Sequence, residues 1–410
     1  MTQLAAHPSA RPRTRYTASG LRTDARPLHQ SLVNWANTGW LCVFSGVGLS
    51  MVGILAIGTT QPGFALRQIA HLCVALVAAT AIALPHYRWL ERAIIPLTLA
   101  ALGLLIFVLI PFVPEVIVRP RNGARRWINL GLTDFQPSEL AKIAYIMGVA
   151  SYLRVKQNYR TFVGVLRPLA LSLIPMVLVL VEPNLGMTLL FLPMLFAMLI
   201  AAGAKMRHIL IILVIGLSIA PLSYPLLLDH QRDRIDAILA QMRGDPRHQM
   251  DIGYQGSRAM TLVGAGGWFG VGASKSASLI RHNDLPEEHN DMVFAVICCR
   301  WGLFGAIITW GMFSVFAFGG LLTAGLCKDP FGRLVAVGIV AALFAQMCIN
   351  TGMTMGLLPI TGLPLPFVSY GGSSMVATWL MVGLLFNIAL RRSKYLARQS
   401  FEFDSMPQES

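Results

Sequence analysis

The stretch Gly39-Trp-Leu-Cys-Val-Phe-Ser-Gly-Val-Gly-Leu-Ser-Met-Val-Gly-Ile-Leu-Ala-Ile-Gly58 carries no charged side chain. A helix that faces water on one side keeps a polar stripe, whereas crossing a bilayer takes about 20 apolar residues in succession. Apolar runs of this kind recur along the chain, and their charged or proline-rich edges predict ten membrane helices. These lie near 39–58, 69–85, 93–113, 138–153, 165–181, 185–203, 209–228, 292–322, 333–357 and 373–390. The whole composition agrees, with 55% hydrophobic and 13% charged residues and a mean hydropathy of +0.61. A soluble enzyme is excluded. So is an outer-membrane barrel, whose strands alternate apolar and polar residues in segments of about ten.

The fold class that follows is all-α: a polytopic integral membrane protein with both termini cytoplasmic and a large extracytoplasmic loop between helices 7 and 8. Residues 1–38 read as a disordered basic cytoplasmic tail without a signal-peptide pattern, 39–392 as the membrane domain and 393–410 as a cytoplasmic C-terminal tail. The fourth helix is short and holds Glu139 and Lys142, and omitting it would invert every later loop. The distribution of basic residues supports keeping it. With ten spans the short outer loops contain only Arg67, Arg119, Arg121, Arg125 and Arg126, while the remaining short loops and the tails are richly basic. The formal charge of +14 is scattered between spans and forms no single patch, so it fits topology and anionic lipid and not nucleic acid. All six cysteines fall within or beside apolar runs, which implies no disulfide framework. Neither a 20–50 residue repeat nor an inverted pair of broken helices is evident.

Polar chemistry gathers in three outer places. Four of the five outer arginines crowd into residues 118–127, Val-Arg-Pro-Arg-Asn-Gly-Ala-Arg-Arg-Trp, on the side where basic residues are disfavoured. Guanidinium groups pair bidentately with phosphate, and Asn122-Gly123 supplies a tight turn, so the segment suggests a phosphate or diphosphate site. The bland alternative is a headgroup anchor flanked by an interfacial Trp127. The second place is Arg281-His-Asn-Asp-Leu-Pro-Glu-Glu-His-Asn-Asp291, just before the eighth helix. There Asn290 or Asp291 is positioned to cap the helix. Alternatively, Asp291 at the lipid edge is desolvated enough to serve as a general base. His282 and His289 lie among acids but lack the spacing of a metal motif. The third place, residues 356–374, holds prolines, glycines and the hydroxyls of Ser369, Tyr370, Ser373 and Ser374 among apolar residues, and predicts a re-entrant segment lining a cavity. Glu139 and Lys142, three apart on one helical face, can pair and so reduce a burial cost of about +3 kcal/mol for Lys at a helix centre. The glycine-rich run 264–274 follows no predicted strand, which excludes a dinucleotide fingerprint and leaves backbone lying close to lipid or ligand. Glu182, Arg300 and Asn350 extend the polar set, and together these residues suggest an outward-facing polar cavity.

In order along the chain, Asn122-Gly-Ala-Arg-Arg-Trp-Ile128, Phe135-Gln-Pro-Ser-Glu-Leu-Ala-Lys-Ile143, Glu182-Pro-Asn-Leu-Gly186, Gly253-Tyr-Gln-Gly-Ser257, Leu285-Pro-Glu-Glu-His-Asn-Asp291 and Leu365-Pro-Phe-Val-Ser-Tyr-Gly-Gly-Ser-Ser374 resemble the SEDS (shape, elongation, division, sporulation) family. The resemblance covers residues 39–392. It implies a ten-helix peptidoglycan glycosyltransferase of the bacterial cytoplasmic membrane that polymerises lipid II on the extracytoplasmic side, in cell elongation or division. It also implies a class B penicillin-binding protein as partner, with other elongation or division proteins. By the same resemblance Asp291 is the essential acid and Arg126 and Lys142 lie near a diphosphate. Substrate contacts are expected from Arg125, Arg126, Trp127, Glu139, Lys142, Gln255, His289, Ser369, Tyr370, Gly371, Gly372 and Ser373. A divalent cation, magnesium or manganese, is the candidate helper for the leaving diphosphate, with its ligands unassigned, and no organic cofactor is expected. The wording Phe135-Gln-Pro-Ser and Gly362-Leu-Pro-Leu-Pro leans toward the elongation branch. Three departures stand out: Asn184 where the family has Asp, Met187 where it has Thr, and Cys299-Arg300 where it has an acidic pair. A lipid II flippase and a non-catalytic scaffold for the crosslinking enzyme are the rival readings. A flippase would carry its charges through to the inner leaflet, whereas here they gather at the outer end.

Overall fold

The computed structural model describes residues 36–121, 124–131, 133–156, 158–226, 232–233, 236 and 254–391. Most of the predicted N-terminal tail, the C-terminal tail, the Asn122-Gly123 turn and much of the 229–253 stretch lie outside the described residues. Among the described residues seven helices are long and apolar enough to cross a membrane: α1 (Gly39–Thr60), α2 (Pro62–Ala83), α6 (Phe162–Val181), α7 (Leu185–Ala202), α11 (Val293–Leu326), α12 (Pro330–Thr354) and α13 (Gly372–Leu390). Three more complete the ten spans: α4 (Ile94–Leu109) and α8 (Met206–Ser223), which are shorter or apolar over less of their length, and α5 (Pro137–Val155), which carries the expected charges. Short helices α3 (Tyr87–Arg92), α9 (Tyr254–Gly266) and α10 (Ala273–Asn283) lie outside this set.

Several helices start where proline removes an N–H that would in any case lack a partner: Pro62, Pro137 and Pro330 each open one. The first of these corrects the sequence reading. Helix 2 is expected at 69 from the sequence, yet Pro62 starts it earlier, so Phe64, Arg67 and Gln68 join His71 on the helix. α7 begins at an Asn184 cap, whose side chain accepts from the Met187 N–H at 3.2 Å, and ends at Gly203 in the left-handed region. Asn and Asp serve equally as caps, so the departure at 184 keeps the helix start.

The arginine loop folds into a three-stranded antiparallel sheet that the hydropathy pattern did not predict: β1 (Val118–Arg121), β2 (Ala124–Asn129) and β3 (Asp134–Phe135). Val118 and Ile128 form a small second core with Leu104 and Phe107, which seats the sheet on the outer end of α4.

In the main bundle, α13 packs chiefly on α2, α1 on α11, and α12 on α7 and α11. Residues between α12 and α13 dive into this bundle as irregular chain. Phe367, held at φ +65°, puts its ring among Phe313, Phe316 and Trp379, and the Val368 backbone lies against Gly53 in mid-α1. The expected re-entrant segment is therefore buried in protein, as irregular backbone at membrane depth must be.

Gly53 is what admits it. A Cβ there would overlap the Val368 carbonyl oxygen and lie 2.7 Å from its Cα. We expect Gly53→Ala to cost about 1–3 kcal/mol, the usual penalty for overpacking. Gly311→Ala, where a Cβ meets nothing within 4 Å, should leave stability unchanged. Thermal unfolding of the two purified variants in detergent checks the difference.

Candidate active site

The loop that ends at Asp291 is fixed through its main chain. Asp284 and Glu287 take positive φ, and the Asn290 and Met292 N–H groups both donate to the Glu287 carbonyl. Three successive carbonyls then accept from outside the loop: His289 from the Tyr370 N–H at 2.9 Å, Asn290 from Ser369 Oγ at 2.6 Å, and Asp291 from Asn350 Nδ2 at 2.8 Å. Asn350 Nδ2 also donates to Leu363 O at 2.7 Å, so one amide ties the acid to the re-entrant segment. Gly362 lies beside the carboxylate: a Cβ there would sit 3.4 Å from Asp291 Oδ2. The capping expectation is corrected. Met292, and not Asn290 or Asp291, occupies the N-cap position of α11, and its side chain makes no capping bond.

A wall of the site comes from α2, which the sequence reading missed. Gln68 is fully buried; its Nε2 donates to Ser369 O at 2.9 Å and its Oε1 accepts from the Gly371 N–H at 3.3 Å. The His289 ring stacks on Phe64 with centroids 4.7 Å apart, and Tyr370 touches Phe64, His71 and His289. Phe64, Gln68 and His71 share one helical face, a signal that was visible had the helix been started at Pro62.

Lys142 and Glu139 pair as expected, at 2.9 Å and almost wholly buried. Lys142 Nζ also donates to Gln346 Oε1 at 3.1 Å, and Gln346 Nε2 reaches Pro364 O at 2.8 Å, joining the pair to the re-entrant segment. Ser373 Oγ accepts from the Gln136 N–H at 3.0 Å. A cavity of about 220 Å³ opens here, lined by His71, Asp134, Glu139, Gly372 and Ser373 and continuing along apolar residues such as Leu380. Gln255 lies further out and donates to Pro286 O at 3.4 Å.

The two arginines expected on one anion are separated. Neighbouring residues on a strand face opposite sides. Arg125 donates to the carbonyls of Pro111 (2.8 Å) and Val113 (2.5 Å), while Arg126 donates to Glu182 O at 2.7 Å and to Pro183 O and lies over the Trp127 ring. Arg126 is the one that reaches the α6–α7 turn. From there contacts run through the α6–α7 turn to Gly186, whose Cβ would lie 2.8 Å from Thr361 and 2.7 Å from Leu363, and so to Asn350 and Asp291. The arginine strand and the acid thus share one end of the bundle. Arg300 turns to α1, donating to Leu55 O (2.5 Å) and Thr59 Oγ1 (2.7 Å), which explains how a cation is accommodated there. Among the described residues no group of three or more His, Cys, Asp or Glu is placed to hold a metal ion.

Glu182, in the outer turn between α6 and α7, is fully buried and neither carboxylate oxygen has a hydrogen-bond partner among the described residues. Burial pushes its pKa from 4.5 up to about 8, against the opposing pull of Arg126. The folded protein therefore keeps a proton that the unfolded chain releases, and stability falls as pH rises between those values. Thermal scans should show Glu182→Gln gaining on the wild type between pH 5 and pH 8, with the gap closing near pH 4.

A family model described as cell cycle protein, covering FtsW, RodA and SpoVE, matches residues 30–394. The chain is 33% identical over 361 residues to a probable peptidoglycan glycosyltransferase FtsW of Legionella pneumophila, covering 83% of this chain and 88% of that protein. It is 37% identical over 323 residues to the protein of the same name from Geobacter metallireducens, covering 78% and 82%. A solved structure concerned with coordination of polymerization and crosslinking by a peptidoglycan synthase complex superposes with a TM-score of 0.74 at 29% identity, over 87% of this chain and 98% of that one. The ten-span bundle, the acid loop bolted to a re-entrant segment and this similarity along most of the sequence together make the chain a multi-pass membrane protein of the FtsW/RodA/SpoVE family.

Proposed function

We propose that the protein is a peptidoglycan glycosyltransferase that polymerises lipid II on the outer face of the cytoplasmic membrane. The observation that carries this reading is the fixing of the loop 289–291, Asp291 included, by bonds to three successive carbonyls from Tyr370, Ser369 and Asn350, while the next residues of the same segment, Gly372 and Ser373, line a largely apolar cavity with Glu139. A lipid-linked sugar needs that combination: a carboxylate for a hydroxyl proton and an apolar path for the lipid.

In this mechanism the acceptor sugar hydroxyl attacks the anomeric carbon of a glycan carried on a lipid diphosphate. Asp291 takes the hydroxyl proton as the new C–O bond forms. The bond to the diphosphate breaks, and the leaving group departs with the electron pair. Lys142 and Arg126 contribute positive potential as that charge develops, while the hydroxyl-rich segment 369–374 and the α2 rings orient the sugars. A direct displacement inverts the anomeric centre and gives a β linkage. A crosslinking enzyme of the class B penicillin-binding type is the fitting partner, in line with the synthase complex to which the fold is similar.

Purified protein incubated with lipid II should yield polymer that a muramidase degrades. Asp291→Asn should insert normally and lose about 10²–10⁴-fold in rate, the usual worth of a general base. Retained polymerisation in that variant rejects the base, and lipid translocation without polymer rejects the transferase.

A further inference from the structure

The glycine-rich run has no part in the site described above, yet it is built into the helix that follows Asp291. α11 is not continuous: Gly302 has φ +67° and ψ −159°, and the chain breaks there. A break strands main-chain groups that lipid cannot satisfy. The turn between α9 and α10 supplies the partners. Val271 N–H donates to Cys299 O at 3.0 Å and Gly272 N–H to Arg300 O at 3.2 Å; Leu303 N–H donates to Gly267 O at 2.9 Å and Phe304 N–H to Trp268 O at 3.1 Å. Such close approach requires glycine. A Cβ on Gly302 would lie 2.6 Å from the Trp268 carbonyl carbon, and one on Gly270 2.5 Å from the Trp301 nitrogen.

At the tip of this turn Trp268 and Phe269 are 72% and 84% exposed. They continue the exposed apolar face of α11 at Phe304 and Ile307. The α10 helix that follows is polar and carries exposed Lys275, Arg281 and His282. Aromatic tip, bonded main chain and polar return helix describe an element seated at the lipid boundary.

We propose that the hairpin α9–turn–α10 is a positioning element for the reaction, with Trp268 and Phe269 embedded in outer-leaflet lipid and the glycine turn clamping the half-helix, residues 293–301, that starts beside Asp291. The lipid surface thereby sets the depth and direction of the acid. The positioning role rests on Asp291 being the base; the seating in lipid does not.

Two measurements test it on the full chain in vesicles. Tryptophan emission of the wild type minus that of Trp268→Phe isolates one of the eight tryptophans. It should be quenched by phospholipid brominated near the headgroup end of its acyl chains and spared by aqueous iodide. Quenching by iodide alone, or protection appearing only when a crosslinking partner is added, overturns the lipid assignment. In lipid II turnover, Gly302→Ala should lower kcat about a hundredfold with KM within about twofold and shift the acid limb of the pH profile, as a misplaced reacting group does. Should that variant not fold, Trp268→Asp/Phe269→Asp, which changes only exposed side chains, should show the same split between kcat and KM. An unchanged kcat and pH profile in the folded variants overturns the positioning role. Loss of polymerisation in the wild type would instead count against the transferase reading and leave the quenching result standing.

Discussion

Hydrocarbon offers no hydrogen bonds, and every departure from helix in this protein has to be satisfied from within. Three buried side-chain amides meet that demand at the re-entrant segment. Gln68 holds Ser369 and Gly371, Gln346 holds Pro364, and Asn350 holds Leu363. At the second break, in α11, the partners are main-chain groups of the glycine turn. The same bonds that make irregular backbone tolerable also aim it, because Asn350 and Ser369 reach across to the carbonyls of Asp291 and Asn290.

Charge follows a parallel logic. Lys142 and Glu139 are buried as a pair and Lys142 also donates to Gln346, so neither is left as a lone ion in the bundle. Arg125 and Arg126 are directed at main-chain carbonyls that follow a helix or shape a loop, and Arg300 at the Leu55 carbonyl and Thr59 hydroxyl of α1. The outer cations are thus held in place before any ligand arrives, which reduces the ordering that a charged substrate would otherwise impose.

Glycine marks the places where two backbones meet. Gly53 against Val368 and Gly186 against Thr361 bring separate helices onto the re-entrant chain, and Gly302 against the 267–270 turn joins the outer hairpin to α11. Each lies within or beside a stretch whose hydropathy looks like ordinary membrane helix, so hydropathy alone does not distinguish such a glycine from one that faces lipid.

By itself the sequence determined the solvent, the approximate spans and the places where polar groups interrupt them, because hydropathy is a property of consecutive residues. It also located Asp291, the Lys142–Glu139 pair and the irregular segment before the last helix, since each is a local exception to that pattern. Only the tertiary structure decided which exceptions meet. Gln68 and Ser369 stand 301 positions apart and no local signal couples them. The separation of Arg125 from Arg126 needed a sheet to form, the α2 wall needed Pro62 to start its helix early, and the glycine run acquired a partner only when α11 broke at Gly302. These outcomes depend on distant chain packing at close range, which residue order does not encode locally.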